Sequence, residues 1–287
     1  MSKGEPTYPR FRVMARIEHA ILLVSFTILA VTGLPQKYAA TNTGEAIIAF
    51  MGGVETIRII HRYAAFILTI GSIFHLMTIA YRLFVKREKM LIWFERKDLT
   101  DLVDTVKHNV GLQPHPPKMG KFNFGEKFEY WAVVWGTAVM AITGIMLWNP
   151  IAATSIFPGA IIPIAKAAHG GEALLAVLAI VIWHLYNVLI KQFNPSMFTG
   201  RLPRHQMEEE HALELERLEA GGAPWPIIET ETLHRRRRIF IVACVIVGGI
   251  LVGIVYWGAT FEQTAITTIP RATQDIFVPL VTGTPIP

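Results

Sequence analysis

Ten histidines occur in the chain, and five of them, His19, His61, His75, His169 and His184, fall in or at the edge of apolar runs. An imidazole at membrane depth is costly, so such residues are functional candidates. A single one reads most simply as a hydrogen-bonded core residue, but the spacing here is regular. His61 and His75 are 14 positions apart, and His169 and His184 are 15 apart. On a helix with 3.6 residues per turn, both spacings return the second ring near the same face, roughly 21–22 Å further along. Facing imidazoles at two matched depths, with no acidic residue between them, suit the axial positions of two low-spin haem irons. A hard cation or a proton relay would instead call for carboxylates. The chain has no Cys-x-x-Cys-His, so the expected group is haem b, held without covalent attachment.

The elements that must position these rings are membrane helices. Of 287 residues, 52% are hydrophobic and 17% charged, against roughly a quarter charged in soluble domains; mean hydropathy is +0.40. Five segments, 17–34, 60–84, 128–148, 164–190 and 239–257, approach the roughly 20 apolar residues that cross a bilayer core. Hydrocarbon leaves closed helices as the sensible reading. The expected fold is an all-α membrane protein, a four-helix transmembrane haem bundle plus a fifth transmembrane helix. A span separates spans two and four, so they run parallel, which levels His61 with His169 and His75 with His184. Residues 1–16 form an N-terminal arm without a removable signal peptide, 17–204 the di-haem unit, and 205–238 a linker with one short exposed helix over 205–220. Residues 239–258 form the last span and 259–287 a tail. Basic residues crowd the N-terminus, the segment between spans two and three, and the segment between spans four and five, including Arg235 to Arg238. The other two connections hold just Lys37 and Arg58. The N-terminus is therefore expected inside and the C-terminus outside a bacterial inner membrane. The formal charge of +5 serves this orientation rather than nucleic acid, because the basic residues flank apolar blocks. Cys244 alone can make neither a disulfide nor a cluster of cysteine ligands.

The first four spans contain a duplication. Arg16, Glu18, Thr32 and Gly33 recur as Lys127, Glu129, Thr143 and Gly144 at an offset of 111, while His61 and His75 recur as His169 and His184 at offsets of 108 and 109. Two helix hairpins about a pseudo-two-fold axis are expected, with cofactor sites built from facing helices. Gly71, Gly170 and Gly171 would give a flat macrocycle room between helices, or else serve plain helix contacts.

Between Arg10 and Arg204 the residues resemble the cytochrome b (gamma) subunit of membrane-bound formate dehydrogenases, within the bacterial cytochrome b561 and hydrogenase cytochrome b group. The resemblance rests on Arg16-Ile-Glu-His19, Thr32-Gly33, His61, the segment from Gly120 to Lys127, Thr143-Gly144, Trp148-Asn149-Pro150 and Trp183-His184-Leu-Tyr186. It implies two haems b and a menaquinone site at the inner haem. Carried over, the outer haem uses His61 and His169, the inner haem His19 and His184, and the quinone site Asn123 and Gly125. Read without the resemblance, Asn123 caps span three and Gly125 takes a positive-φ turn position. The internal repeat pairs His184 with His75, whereas the resemblance pairs it with His19; the resemblance carries slightly more weight. The spacing from His169 to His184 is one residue longer than the family pattern, and His75, span five and the tail have no counterpart in it. A third haem would need a sixth membrane histidine.

The expected function is electron transfer between an extracytoplasmic redox subunit, an iron–sulfur or multihaem cytochrome protein, and menaquinone or ubiquinone near the cytoplasmic side. Glu18, Glu126, Lys127 and Glu129 lie at the depth where quinone chemistry exchanges protons. A self-contained b561-type cytochrome oxidising quinol is the alternative. A proton-coupled transporter is disfavoured, because transporters interrupt helices at the midplane and these five segments contain no proline.

Overall fold

The computed structural model describes residues 5–225 and 230–260; the expected tail, from residue 261 on, lies outside the described residues. A short strand β1 (Thr7–Pro9) precedes α1 (Val13–Lys37), α2 (Asn42–Phe50) and α3 (Val54–Ala80), which continues in wide π turns through Tyr81–Val85. Then come α4 (Arg96–Asn109), α5 (Phe124–Trp148), α6 (Pro150–Ile156) and α7 (Ile161–Leu178), which runs on in π turns over Ala179–His184 and Tyr186–Lys191. The described chain closes with α8 (Ser196–Thr199), β2 (Arg201–Pro203), α9 (Arg204–Glu210), α10 (Ala212–Glu219) and α11 (Thr230–Thr260). The helices α1, α3, α5, α7 and α11, with their extensions, are the five long and apolar enough to cross a membrane. The protein is a multi-pass helical membrane bundle, with α11 beside the first four spans.

Local chemistry sets the ends of the spans. Asn123 caps α5 by accepting from the Glu126 amide at 2.9 Å, while the Glu126 carboxylate accepts from the Asn123 amide at 3.0 Å. Asn149 ends α5 and starts α6, accepting from the Ala152 amide, with Pro150 at the first helical position. Past α3, Arg87 takes a left-handed conformation (φ 51°) and turns the chain back on the bundle. Glu88 is thereby buried beside Arg82 and Arg12, at 2.7 and 3.2 Å. Burial alone would raise this carboxyl's pKa, but Arg82, Arg12 and Lys86 hold it below the usual carboxylate range.

α1 packs along α3 and α5 along α7, so the two repeats are two hairpins. Contacts between hairpins are sparser, and the space between them is a long cavity. α11 lies against α5 and the inner half of α3, with the Phe240 ring 5.4 Å from that of Tyr81.

The bundle end that carries the N-terminus is closed by a cap from three stretches of chain. β1 pairs antiparallel with β2, Tyr8 opposite Leu202. Leu202, Met207 and Leu215 form a small buried core, flanked by Tyr8 and Leu218. The single exposed helix expected over 205–220 is in fact two, α9 and α10, parted at His211 and docked through Met207, His211 and Leu215. Met207 comes from α9 and Leu215 and Leu218 from α10, and the glutamate-rich composition concealed these apolar contacts. Arg10 is buried at the centre, donating to both oxygens of Glu126 at 2.7 and 2.9 Å and to the Lys121 carbonyl. Lys127 and Asp98 make a buried ion pair at 2.8 Å that fixes α4 to α5.

Lys121 provides a test of the cap. Its ammonium stands over the Trp225 ring, 4.1 Å from the centre. Burial is the main cause that pushes its pKa down to about 8; Arg10, Arg217 and Arg12 add repulsion, while Glu214 opposes. Between pH 8 and 10.5 an unfolded chain holds a proton that the folded cap has released, so folding gains stability as pH rises through that window. The melting midpoint of the wild type should climb relative to Lys121→Met from pH 8 to 10, with a constant difference below pH 7.5. A pH-independent offset across the whole range would show that the amine is not buried.

Candidate cofactor site

The inter-hairpin cavity has a volume of about 2620 Å³, several times the roughly 300–1,000 Å³ of a single small-molecule pocket. His19, His61, His169 and His184 all line it; His75 is not among its lining residues. The rings of His61 and His169 have centres 6.4 Å apart, and those of His19 and His184 are 6.3 Å apart. Two metal–imidazole bonds of about 2 Å in line, with each ring centre roughly 1 Å behind its nitrogen, require about 6 Å. Both pairs therefore have the opening that a metal between two imidazoles needs. Among the described residues, no three of His, Cys, Asp and Glu gather as a bare-ion site, so the remaining coordination positions would have to come from a macrocycle. The donor set and the spacing fit haem.

The neighbours of three of these rings fix their tautomers. Thr32 donates its hydroxyl hydrogen to the Ile28 carbonyl at 2.7 Å, and its oxygen lies 2.8 Å from His61 Nδ1. That oxygen can only accept there, so Nδ1 carries the proton and the Nε2 lone pair is free. Thr143 repeats the arrangement, 2.6 Å to the Val139 carbonyl and 2.9 Å to His169 Nδ1. Glu129 does the same for His184 with a carboxylate, 3.0 Å from Nδ1. The glycines after the two threonines make room for the rings. A Cβ on Gly33 would lie 3.1 Å from His61 Cε1, and one on Gly144 3.3 Å from His169 Cε1. The duplication at offset 111 already contained Thr32-Gly33 and Thr143-Gly144, and that repetition was the available signal for their role. Gly71, one of the three glycines expected to admit a macrocycle, instead lets α3 approach Ile21 of α1. A Cβ on Gly170 would meet the Lys37 ammonium at 2.9 Å.

His75 is engaged differently. Its Nδ1 lies 2.8 Å from Glu18 Oε2, and its Nε2 3.1 Å from the Tyr130 hydroxyl. With Nδ1–H donating to the carboxylate, the Nε2 lone pair accepts a hydrogen bond from the Tyr130 hydroxyl and is not offered to a metal. Tyr130 stands at offset 111 from His19, as Glu129 does from Glu18. The His75–Tyr130 pair is thus the repeat's counterpart of His19–His184, with one imidazole replaced by a phenol. The extra residue between His169 and His184 falls where α7 opens into the π turns of Ala179–His184. Such turns absorb a single inserted residue in a helix.

At the capped end, Asn123 and Gly125 line the same cavity as His184. Asn123 is a helix cap, as its residue type predicts. Gly125 is helical and takes no positive φ; a Cβ there would lie 3.6 Å from the Trp183 ring. Glu126, also a lining residue, is approached from the cap by His211, whose Nε2 stands 3.7 Å from Oε1. Burial pushes this imidazole's pKa down, while Glu126 opposes the shift. Sequence reasoning passed over Glu172, an acid inside α7 that lines the cavity. Its carboxylate abuts Gly136 of α5, 2.5 Å from where a Cβ would be. At the opposite end the lining includes Lys37, Arg58, Arg62 and Lys166, none of them ion-paired with a carboxylate among the described residues.

Known proteins resemble the part of the chain that carries this site. The cytochrome b556(fdo) subunit of formate dehydrogenase from Escherichia coli strain K12 is 25% identical over 187 residues, covering 65% of this chain and 81% of the relative. The cytochrome b556(Fdn) subunit of the nitrate-inducible formate dehydrogenase from the same strain is 26% identical over 130 residues, covering 44% of this chain and 59% of the relative. Its counterpart in Shigella flexneri matches to the same extent. The family model described as prokaryotic cytochrome b561 matches residues 10–200, the stretch that holds His19, His61, His169 and His184, and the chain belongs to the prokaryotic cytochrome b561 family, whose cytochromes b carry haem b.

Proposed function

We propose that the chain is a di-haem cytochrome b subunit of the inner membrane, passing electrons between an extracytoplasmic redox subunit and quinone at the cytoplasmic side. The observation that carries the reading is the pair of imidazole gaps, 6.4 and 6.3 Å, in one apolar cavity. Haem b at each pair would supply a one-electron carrier. His61 and His169 hold the outer one, and His19 and His184 the inner one. Thr32, Thr143 and Glu129 hold the ligand nitrogens in the metal-binding tautomer. The cations Lys37, Arg58, Arg62 and Lys166 suit the carboxylates of the outer group. His75 is a hydrogen-bonding residue in this reading, and no third haem is needed.

The distribution of basic residues supports a cytoplasmic N-terminus, so the capped end faces the cytoplasm. Menaquinone or ubiquinone would meet the cavity beside Asn123 and Gly125, with Glu126 and His211 close by to exchange protons. The electron-carrying unit is residues 17–204. At the far end α2 and α6 present Phe50, Ile156 and Phe157 to solvent, a surface for the iron–sulfur or multihaem partner. The names of the relatives favour a dehydrogenase complex of the formate type.

Haem counting on the purified chain tests the assignment. Two haems b per chain are expected from the reduced-minus-oxidised spectrum. His19→Ala and His184→Ala should each leave one, and His75→Gln two. One haem in His75→Gln together with two in His19→Ala would move the inner ligand to His75, and a colourless wild type would end the haem reading.

The supporting residues make a separate test. Loss of an outer-shell partner typically weakens metal binding by roughly 10–100-fold. Thr32→Val should therefore release the outer haem to apomyoglobin roughly tenfold faster or more, and Gly33→Val should prevent its binding, with the inner haem unchanged. Unchanged release from Thr32→Val would show that the hydroxyl does not hold the ring.

A further inference from the structure

The segment between α3 and α5 contains a helix that the spans do not explain. At 14 residues and 1.5 Å per residue, α4 is about 21 Å long, too short and too charged to cross a bilayer. Its orientation is fixed at its N-terminal end. Asp98 is buried against Lys127, the Ile92 carbonyl accepts from the Trp131 indole at 3.2 Å, and the Phe94 ring lies 6.0 Å from that of Phe124. At roughly 100° per residue, this anchoring divides α4 into three faces. Asp98, Leu102, Thr105 and Asn109 point to the bundle, and the last three line the cavity. Thr100, Asp104 and Lys107 form a polar face, with Lys107 and Asp104 paired at 3.3 Å. Between these two faces runs an uninterrupted apolar stripe of Leu99, Val103, Val106 and Val110, at 65%, 44%, 54% and 63% exposure.

Such a stripe needs a cover, and its surroundings say which. The exposed Phe84, near the end of the second span, precedes α4 in the chain, and the exposed Phe128, in the second turn of the third span, follows it; exposed phenylalanines at the ends of membrane spans suit a lipid environment. Trp93 and Phe94, both exposed, lead into α4, and aromatic residues at that level mark a membrane–water boundary. Arg87 and Lys89 precede it and Arg96 opens it, as a surface of anionic phospholipid favours. We propose that α4 is an in-plane membrane helix, lying in the leaflet at the capped end of the bundle with Leu99, Val103, Val106 and Val110 in the acyl region. The helix has the layout of an interfacial amphipathic helix, with one flank pressed on protein. α4 then stands between lipid on one flank and the cavity on the other. The proposal does not depend on the quinone reading.

The test uses the full chain with Cys244→Ser, reconstituted in nanodiscs of phosphatidylethanolamine and phosphatidylglycerol. Single cysteines at Leu99, Val103, Val106, Val110, Thr100 and Lys107 are spin-labelled, and relaxation by oxygen is compared with relaxation by a water-soluble nickel chelate. Oxygen should dominate at the four apolar positions and nickel at Thr100 and Lys107, so that accessibility alternates around the helix. Nickel dominance at Val106 and Val110 would put the stripe in water. Shielding of those labels from both relaxants would mean that protein, such as a second copy of this chain, covers it. Either result overturns the proposal.

Discussion

The constraint on which the structure turns is the gap between facing imidazole nitrogens. Two rings about 6 Å apart, lone pairs inward, cannot come from helices packed at ordinary contact, because side chains would close the space. The bundle meets this by concentrating its packing within hairpins, α1 on α3 and α5 on α7, and leaving the interface between hairpins open. Thr32 and Thr143 stand on one hairpin helix and His61 and His169 on the other, so each hairpin orients its own imidazole. The hairpins then have only to be held at the right separation.

That separation is maintained at the ends. At the capped end Arg10 reaches from the N-terminal arm to Glu126 of α5, Lys127 reaches to Asp98 of α4, and Glu88 gathers Arg12 and Arg82. Arg10 joins the arm to the second hairpin, Lys127 joins that hairpin to the segment leaving the first, and Glu88 joins that segment to the arm and to the first hairpin. Buried ion pairs of this kind contribute little net energy against apolar replacements, but are costly to break singly. They suit a structure whose middle must stay open. The β1–β2 pairing and the docked α9 and α10 add a second layer over the same end, from chain that lies mostly beyond the family match at residue 200.

The five spans were legible because hydrocarbon demands a run of about 20 apolar residues whatever the sequence around it. The facing of His61 and His169 was legible too, since helical spacing and parallel spans level the two rings without further information. The other level was less so. Symmetry offered His75 and the resemblance His19; the structure faces His19 to His184 and engages His75 with Glu18 and Tyr130, the residue at offset 111 from His19. Side-chain identity there, rather than periodicity, decides which imidazole keeps a free lone pair. The cap was largely illegible. Thr7 and Pro203 pair across almost the whole described chain, and three-residue strands leave no periodicity to read. Glutamates on α9 and α10 masked the three apolar residues, Met207, Leu215 and Leu218, that dock them.

The broken symmetry has a physical logic. A duplicated hairpin with identical halves would present two equivalent inner sites, one between α1 and α7 and one between α3 and α5. The second is closed, because Tyr130 and Glu18 occupy both nitrogens of His75, and α11 lies over the α3 and α5 side. The first keeps its gap and opens to the cavity that Asn123, Gly125 and Glu126 line. A single histidine-to-tyrosine difference between the repeats, together with one added helix, thus turns a symmetric scaffold into one with an open side and a closed side. The π turns at Ala179–His184 fall on the open side, where the His184 ring faces His19.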